Sequence, residues 1–178
     1  MRWIQTYTGK VFNLDYPDRK DVDITDIAHA LSLQCRFNGH TRKFYSVAQH
    51  SVLVSQQVTQ IAALHGLLHD AAEAYIGDII SPVKNDENKA LESRVLNAIY
   101  DRFLIYVPDY IFSEVKRADL RMLRTEQEEL LPGGPEYECC SGVERYTLDL
   151  KVNCWGPQRA ESEFMSRFLE VFNDKSAG

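Results

Sequence analysis

The stretch PDYIFSEVKRADLRMLRTEQEELL, residues 108–131, constrains the whole chain more than any other. Its apolar residues recur at helical spacing, and nothing after its opening proline breaks the pattern, so it reads as one long amphipathic helix. A helix of that kind must bury its apolar stripe against other elements. One position on the stripe is anomalous. Val115, Asp119, Met122 and Glu126 fall on one face, so an acid interrupts the apolar run. Buried carboxylates are usually paired or metal-bound.

The rest of the chain supplies the partners. WIQTYT and VFNL flank Gly9-Lys10 and read as two short strands around a turn, followed by the polar loop DYPDRKD. Asp23 can cap a helix that starts near Ile24 and stops near Arg36, where Phe37-Asn38-Gly39 carries turn residues. Ser46-Val47-Ala48-Gln49 has the form of a capping box and opens a helix to about Val58. Thr59 caps a further helix, TQIAALHGLLHDAAEAYI, ended by Gly77. Ser81-Pro82 forces an extended break. NKALESRVLNAIYDRFL is a helix, residues 132–156 are mostly loop, and a last helix spans roughly Gln158–Phe172. The expected fold is mainly α, one domain over residues 1–178: hairpin and loop at 1–20, a helical core at 24–131, and a loop and helix at 132–178.

Charge and cysteine content narrow the function. Lys+Arg 20 against Asp+Glu 26 gives a net charge of -6, which argues against a protein that coats nucleic acid or an anionic membrane. Arg42-Lys43 and Lys116-Arg117 are too short to track a nucleic-acid backbone. Small anionic ligands remain compatible, since they need only a few local cations. No apolar run approaches the length of a membrane span, and MRWIQTYTGK does not read as a signal peptide. Cys35, Cys139, Cys140 and Cys154 lack paired Cys-x-x-Cys spacing and fit reduced thiols in a cytoplasmic protein.

The chemistry-bearing residues gather in four places: His50, His69-Asp70 with Glu73 after it, Gly77-Asp78, and Asp119. On a continuous helix His69 and Glu73 would share a face. His50, His69, Asp70 and Asp119, drawn from three helices, offer two imidazoles and two carboxylates. That donor set suits one divalent transition metal: Mn, Co, Fe, Zn or Ni.

This pattern resembles the H…HD…D signature of the HD superfamily of metal-dependent phosphohydrolases. HDAAEAYIGDIISPVK is similar to the HD-x-x-E-x-x-x-GD-x-x-x-PVK segment of its deoxynucleotidase branch, and CRFNGHTRKFYSVAQHSVLVS to the arginine-then-histidine segment of the same branch. The match covers about residues 24–130 and includes relatives among the small 5'-deoxynucleotidases and phage dATP triphosphohydrolases. The resemblance implies a compact helical HD bundle that cleaves the 5'-phosphate ester of a deoxynucleotide, a dNMP or a dNTP, dATP included. Phosphate or intact triphosphate would be released. Stepwise phosphate removal, or a non-catalytic nucleotide sensor, are the alternatives.

By the same resemblance, His50, His69, Asp70 and Asp119 are the metal ligands, and a further divalent ion held through phosphate is compatible with them. Glu73 does general acid/base work. Asp78 either orients Glu73 or the substrate, or simply forms the turn after the helix. Arg36 and Lys84 face phosphate oxygens. Phe37 stands where the branch has tryptophan and can stack on a base or sugar without an indole donor. Arg42 would help with extra phosphates, and His40 either touches phosphate or is a loop histidine. His29 and His65 read as structural or neighbouring residues rather than ligands. The expected partner is a small nucleotide, with no nucleic acid and no membrane. A homo-oligomer is expected as well, because the helix from Asn88 to Leu104 has apolar residues on more than one side.

Overall fold

In a computed structural model, described over residues 1–135, 137–147 and 150–176, the chain opens with a hairpin. β1 (Trp3–Gln5) pairs antiparallel with β2 (Val11–Asn13), Ile4 opposite Phe12. Alternation puts those two residues on one face. Phe12 is fully buried and stacks on Tyr75 at 3.9 Å. The hairpin is thereby fixed to the helices rather than left as an isolated two-stranded ribbon, which would be marginal in water.

Among the described residues seven α-helices follow: α1 (Ile24–Leu33), α2 (Val47–Gln56), α3 (Gln60–Leu68), α4 (Glu73–Ile76), α5 (Asp86–Phe103), α6 (Asp109–Leu130) and α7 (Pro157–Ser176). The architecture is mainly helical with a small N-terminal hairpin, as the sequence leads one to expect. The caps are where two signals change meaning. Asp23 caps α1, accepting from the Thr25 amide at 3.0 Å. Ser46 caps α2, but the Gln49 side chain does not reach back to complete the box. It binds the Asn153 carbonyl and the Trp155 amide instead, pinning the late loop to α2. Thr59 makes no side-chain cap; its amide and hydroxyl both donate to Glu114 on α6.

Two boundaries differ from the sequence reading. α1 stops at Leu33, so Arg36 does not end that helix but opens a 3-10 turn, Arg36–Gly39. The helix expected over 59–76 breaks after Leu68. The amides of Ala71, Glu73, Ala74 and Tyr75 each bond three residues back, to Leu68, Asp70, Ala71 and Ala72. The His69 side chain contributes, since its Nδ1 meets the Gly66 carbonyl at 2.7 Å, the acceptor that a continuing α-helix would offer to residue 70. Ser81-Pro82 forms a 3-10 turn, Ser81–Val83, after an extended Ile80.

One apolar cluster joins the hairpin, α1, α3, α5 and α7 around Phe12, Ile27, Leu67, Ile99 and Phe164. A second joins α2, α3 and α6 around Val54, Ala62, Val115 and Met122. Gly66 lets α3 approach α2, because a Cβ there would meet the Ser55 Cα at 3.1 Å. α5 buries Val95, Ala98, Ile99 and Phe103 on one side. Its other apolar residues, Leu96 and Tyr100, line a cavity beside α6. Among the described residues no helix is long and apolar enough to cross a membrane, and all four cysteines are free.

Candidate metal centre

α2, the end of α3 and the middle of α6 converge, and their polar residues meet at one point. His50 on α2 is fully buried. Its Nδ1 is 2.6 Å from Glu126 Oε1, and its Nε2 is 3.3 Å from Asp119 Oδ1 and 3.6 Å from Asp70 Oδ2. His69 Nε2 lies 3.3 Å from Asp70 Oδ2 and 3.9 Å from Asp119 Oδ1. The structure thus brings together all four residues that the sequence marked as ligands. Ligand atoms of His50, His69 and Asp119 lie within 4.8 Å of one another and could hold a metal ion.

The two imidazoles are oriented through their other nitrogens. His50 Nδ1 faces Glu126, and His69 Nδ1 faces the Gly66 carbonyl. This is how ligating histidines are usually held, with Nε2 directed at the ion. Both Nε2 atoms are buried and have no hydrogen-bond partner among the described residues. Buried polar atoms are rarely left so. A cation between them and the two carboxylates fits the donor set.

The electrostatics agree. Burial and the Arg36 charge work against a proton on His50, but the Glu126 and Asp119 carboxylates beside it outweigh them and raise it to about 9. A point that holds a proton so firmly would also attract a cation. Burial pushes Asp119 up, but the neighbouring His50 and His69 rings hold it well below the usual carboxylate range. Lys116 Nζ, 2.8 Å from Asp119 Oδ2, neutralises part of that charge from the cavity side.

Beneath the cluster lies a buried network that the sequence reading did not identify. Glu126 is fully buried and accepts from Tyr45 Oη at 2.6 Å and Arg36 Nε at 3.2 Å, besides facing His50. Burial alone would raise its pKa, yet Arg36 and His50 bring it down to about 2. Arg36 also reaches Asp70 Oδ2 at 3.5 Å. The chain places Arg36 and Tyr45 side by side because the Arg36 amide donates to the Tyr45 carbonyl, next to the Cys35–Ser46 bridge. The signal for Glu126 was present: it lies on the same stripe as Asp119.

Glu73 opens α4, is 6 % exposed, and leaves Oε2 unpartnered among the described residues. Burial, with Asp70 and Asp78 close by, pushes its carboxyl well above the usual range. Burial also raises Asp78, which follows the left-handed Gly77. Lys84 lies near both acids but is held by Glu92 at 2.5 Å.

The loop after Arg36 contributes less. Phe37 and Asn38 adopt φ of 55° and 49°, a costly backbone for residues with side chains. Phe37 is half-buried between the Arg36 guanidinium and Tyr137. His40 is exposed and donates its amide to the Phe37 carbonyl. Arg42 binds the Leu130 and Glu129 carbonyls at the end of α6, a capping role. No contact joins His40 or Arg42 to the cluster among the described residues.

A cavity of about 850 Å³ between α5 and α6 opens onto His69, Asp70 and Asp119. Arg36, Phe37, His40, Arg42 and Lys84 are not among its lining residues.

No protein-family model matches the chain. It is 40% identical over 174 residues to YfdR, an uncharacterized protein of Escherichia coli K12, covering 96% of each. It is 35% identical over 142 residues to RCAP_rcc00048, an uncharacterized protein of Rhodobacter capsulatus, covering 72% of each. At this identity and coverage, the chain belongs to the same family as YfdR.

Proposed function

We propose that the protein is a metal-dependent phosphohydrolase of the HD type that cleaves the 5'-phosphate ester of a deoxynucleotide. The observation that carries this reading is the pair of buried, unpartnered Nε2 atoms of His50 and His69 directed at Asp70 and Asp119. The HD-type motifs in the sequence supply the reaction class.

His50, His69, Asp70 and Asp119 would hold the divalent ion. When bound, such an ion polarises a phosphoryl oxygen and lowers the pKa of water. Glu126 holds the His50 ring in place and, through Arg36, the Asp70 carboxylate. Glu73 keeps a buried carboxyl with a free oxygen, suited to passing a proton to the leaving 5'-oxygen. Asp78, close enough to raise the Glu73 carboxyl, helps keep that proton in place. Arg36 and Lys84 supply positive charge beside the acids. For Lys84 to meet a phosphate, that phosphate must displace Glu92.

The test is a screen of deoxynucleoside and ribonucleoside mono- and triphosphates with Mn, Co, Zn and Mg. Inorganic phosphate from a monophosphate or tripolyphosphate from a triphosphate is expected, both from the 5'-ester bond; inorganic phosphate from a triphosphate would mean stepwise removal instead. A metal-bound preparation that releases neither from any nucleotide would leave the reading untenable and favour a nucleotide sensor.

A further inference from the structure

We propose that Tyr100, positioned by His65, is a specificity-determining residue that hydrogen-bonds a hydroxyl group on the organic half of the substrate. The proposal rests on the phosphohydrolase reading above and extends it into the α5–α6 cavity.

The cavity has the size of a small-molecule site and adjoins the metal centre, so the group esterified to the phosphate has room there. Its walls define the kind of group. Leu96, Val107 and Phe112 give apolar surface, while Glu92, Asp101 and Asp109 add carboxylates beyond those of the cluster. The single lysine of the lining, Lys116, is already tied to Asp119. Glu92 is paired with Lys84, but a chain of further phosphates would still meet Asp101 and Asp109 there. A neutral group with protons to donate suits it.

Tyr100 is the polar group held most firmly in that wall. Its Oη is 2.8 Å from Nδ1 of His65, which is 6 % exposed and lies one turn before His69 on α3. The rings meet edge-on, 5.4 Å apart. Burial raises the phenol, so it keeps its proton, and burial lowers His65 to about 4, so the ring stays neutral. Whichever of the two donates, only one bond of the phenol is spent on His65, and Tyr100, a lining residue of the cavity, keeps capacity for another. A hydroxyl is the ligand group that fits both cases, since it can donate or accept.

The experiment compares a 2'-deoxynucleoside 5'-monophosphate, its 2',3'-dideoxy analogue and p-nitrophenyl phosphate on wild type and Tyr100→Phe. Wild type should prefer the 3'-hydroxyl by about ten- to hundredfold in kcat/KM, the effect of leaving one buried polar partner unsatisfied. Tyr100→Phe should erase that preference, bringing the deoxynucleotide to the level of its dideoxy analogue, and should change p-nitrophenyl phosphate hydrolysis less than that of the deoxynucleotide. His65→Gln, which keeps an acceptor, should retain the preference, and His65→Leu should lose it. A Tyr100→Phe variant that keeps the preference, or that loses all three substrates equally, overturns the assignment and leaves the phosphohydrolase reading standing. A wild type inert on every ester, p-nitrophenyl phosphate included, overturns both.

Discussion

His29 and the His50–His69 pair are both histidines set against carboxylates, but they are finished differently. His29 stacks on Tyr7 at 3.7 Å and faces Glu161 at 3.2 Å, fastening the hairpin and α7 to α1 from a partly exposed position. Its environment is complete. His50 and His69 are more deeply buried, each with one nitrogen engaged and one bare. A histidine whose packing ends in satisfied contacts is structural. Two that end in bare nitrogens facing shared carboxylates could hold a cation.

The sharpest break of that contrast is substitution of a ligand. His69→Ala or Asp70→Ala should abolish turnover and remove the rise in Tm that Mn or Co gives to wild type. At a hundredfold excess of metal over Kd that rise corresponds to about 2.7 kcal/mol. Thermal unfolding with and without metal is the measurement, and a variant still stabilised by metal would remove its residue from the ligand set.

Next in size is the support under the pair. Glu126→Ala leaves Arg36, Tyr45 and His50 Nδ1 facing one another without their shared acceptor. Removing one partner from a buried charged network costs about 3–5 kcal/mol. Urea unfolding should show that loss. A cost near that of an exposed acid would mean that Arg36 and His50 find other partners.

The helices and the meeting of His50, His69, Asp70 and Asp119 were legible because they depend on local rules: spacing, caps, and an acid out of place on an apolar stripe. Glu126 shared that stripe and was passed over, since its importance comes from Tyr45 and Arg36, far away in the chain. The side-chain bonds of Gln49 and Thr59 were misread for a related reason. Either residue can serve a local cap or a distant partner, and tertiary contacts at Asn153, Trp155 and Glu114 win. The break after Leu68 was illegible because His69 itself engages the Gly66 carbonyl. The cavity was invisible too, being a space between α5 and α6 rather than a motif.

Acids can be compared in the same way as the histidines. Glu161 faces His29, whereas Glu73 Oε2 is buried and bare. Glu73→Gln should keep metal binding and stability but lower kcat about a hundredfold or more, as for loss of a positioned proton donor. Metal-induced stabilisation measured beside kcat separates the two roles. An unchanged kcat would make Glu73 a bystander.

The smallest effect should come from the finished site. His29→Ala removes a ring stacked on Tyr7 and a contact to a partly exposed acid. The stack contributes about 1 kcal/mol by analogy with other aromatic pairs, and the exposed ion pair less. Tm should fall by a few degrees, while metal stabilisation and kcat/KM stay at wild-type values, because the contacts that the variant loses are to Tyr7 and Glu161 and none is to the cluster. A His29→Ala protein with weakened metal binding would break the comparison at its base. It would mean that the hairpin and α7 help to set the positions of α2, α3 and α6, and that a satisfied histidine cannot be separated from a functional one by its contacts alone.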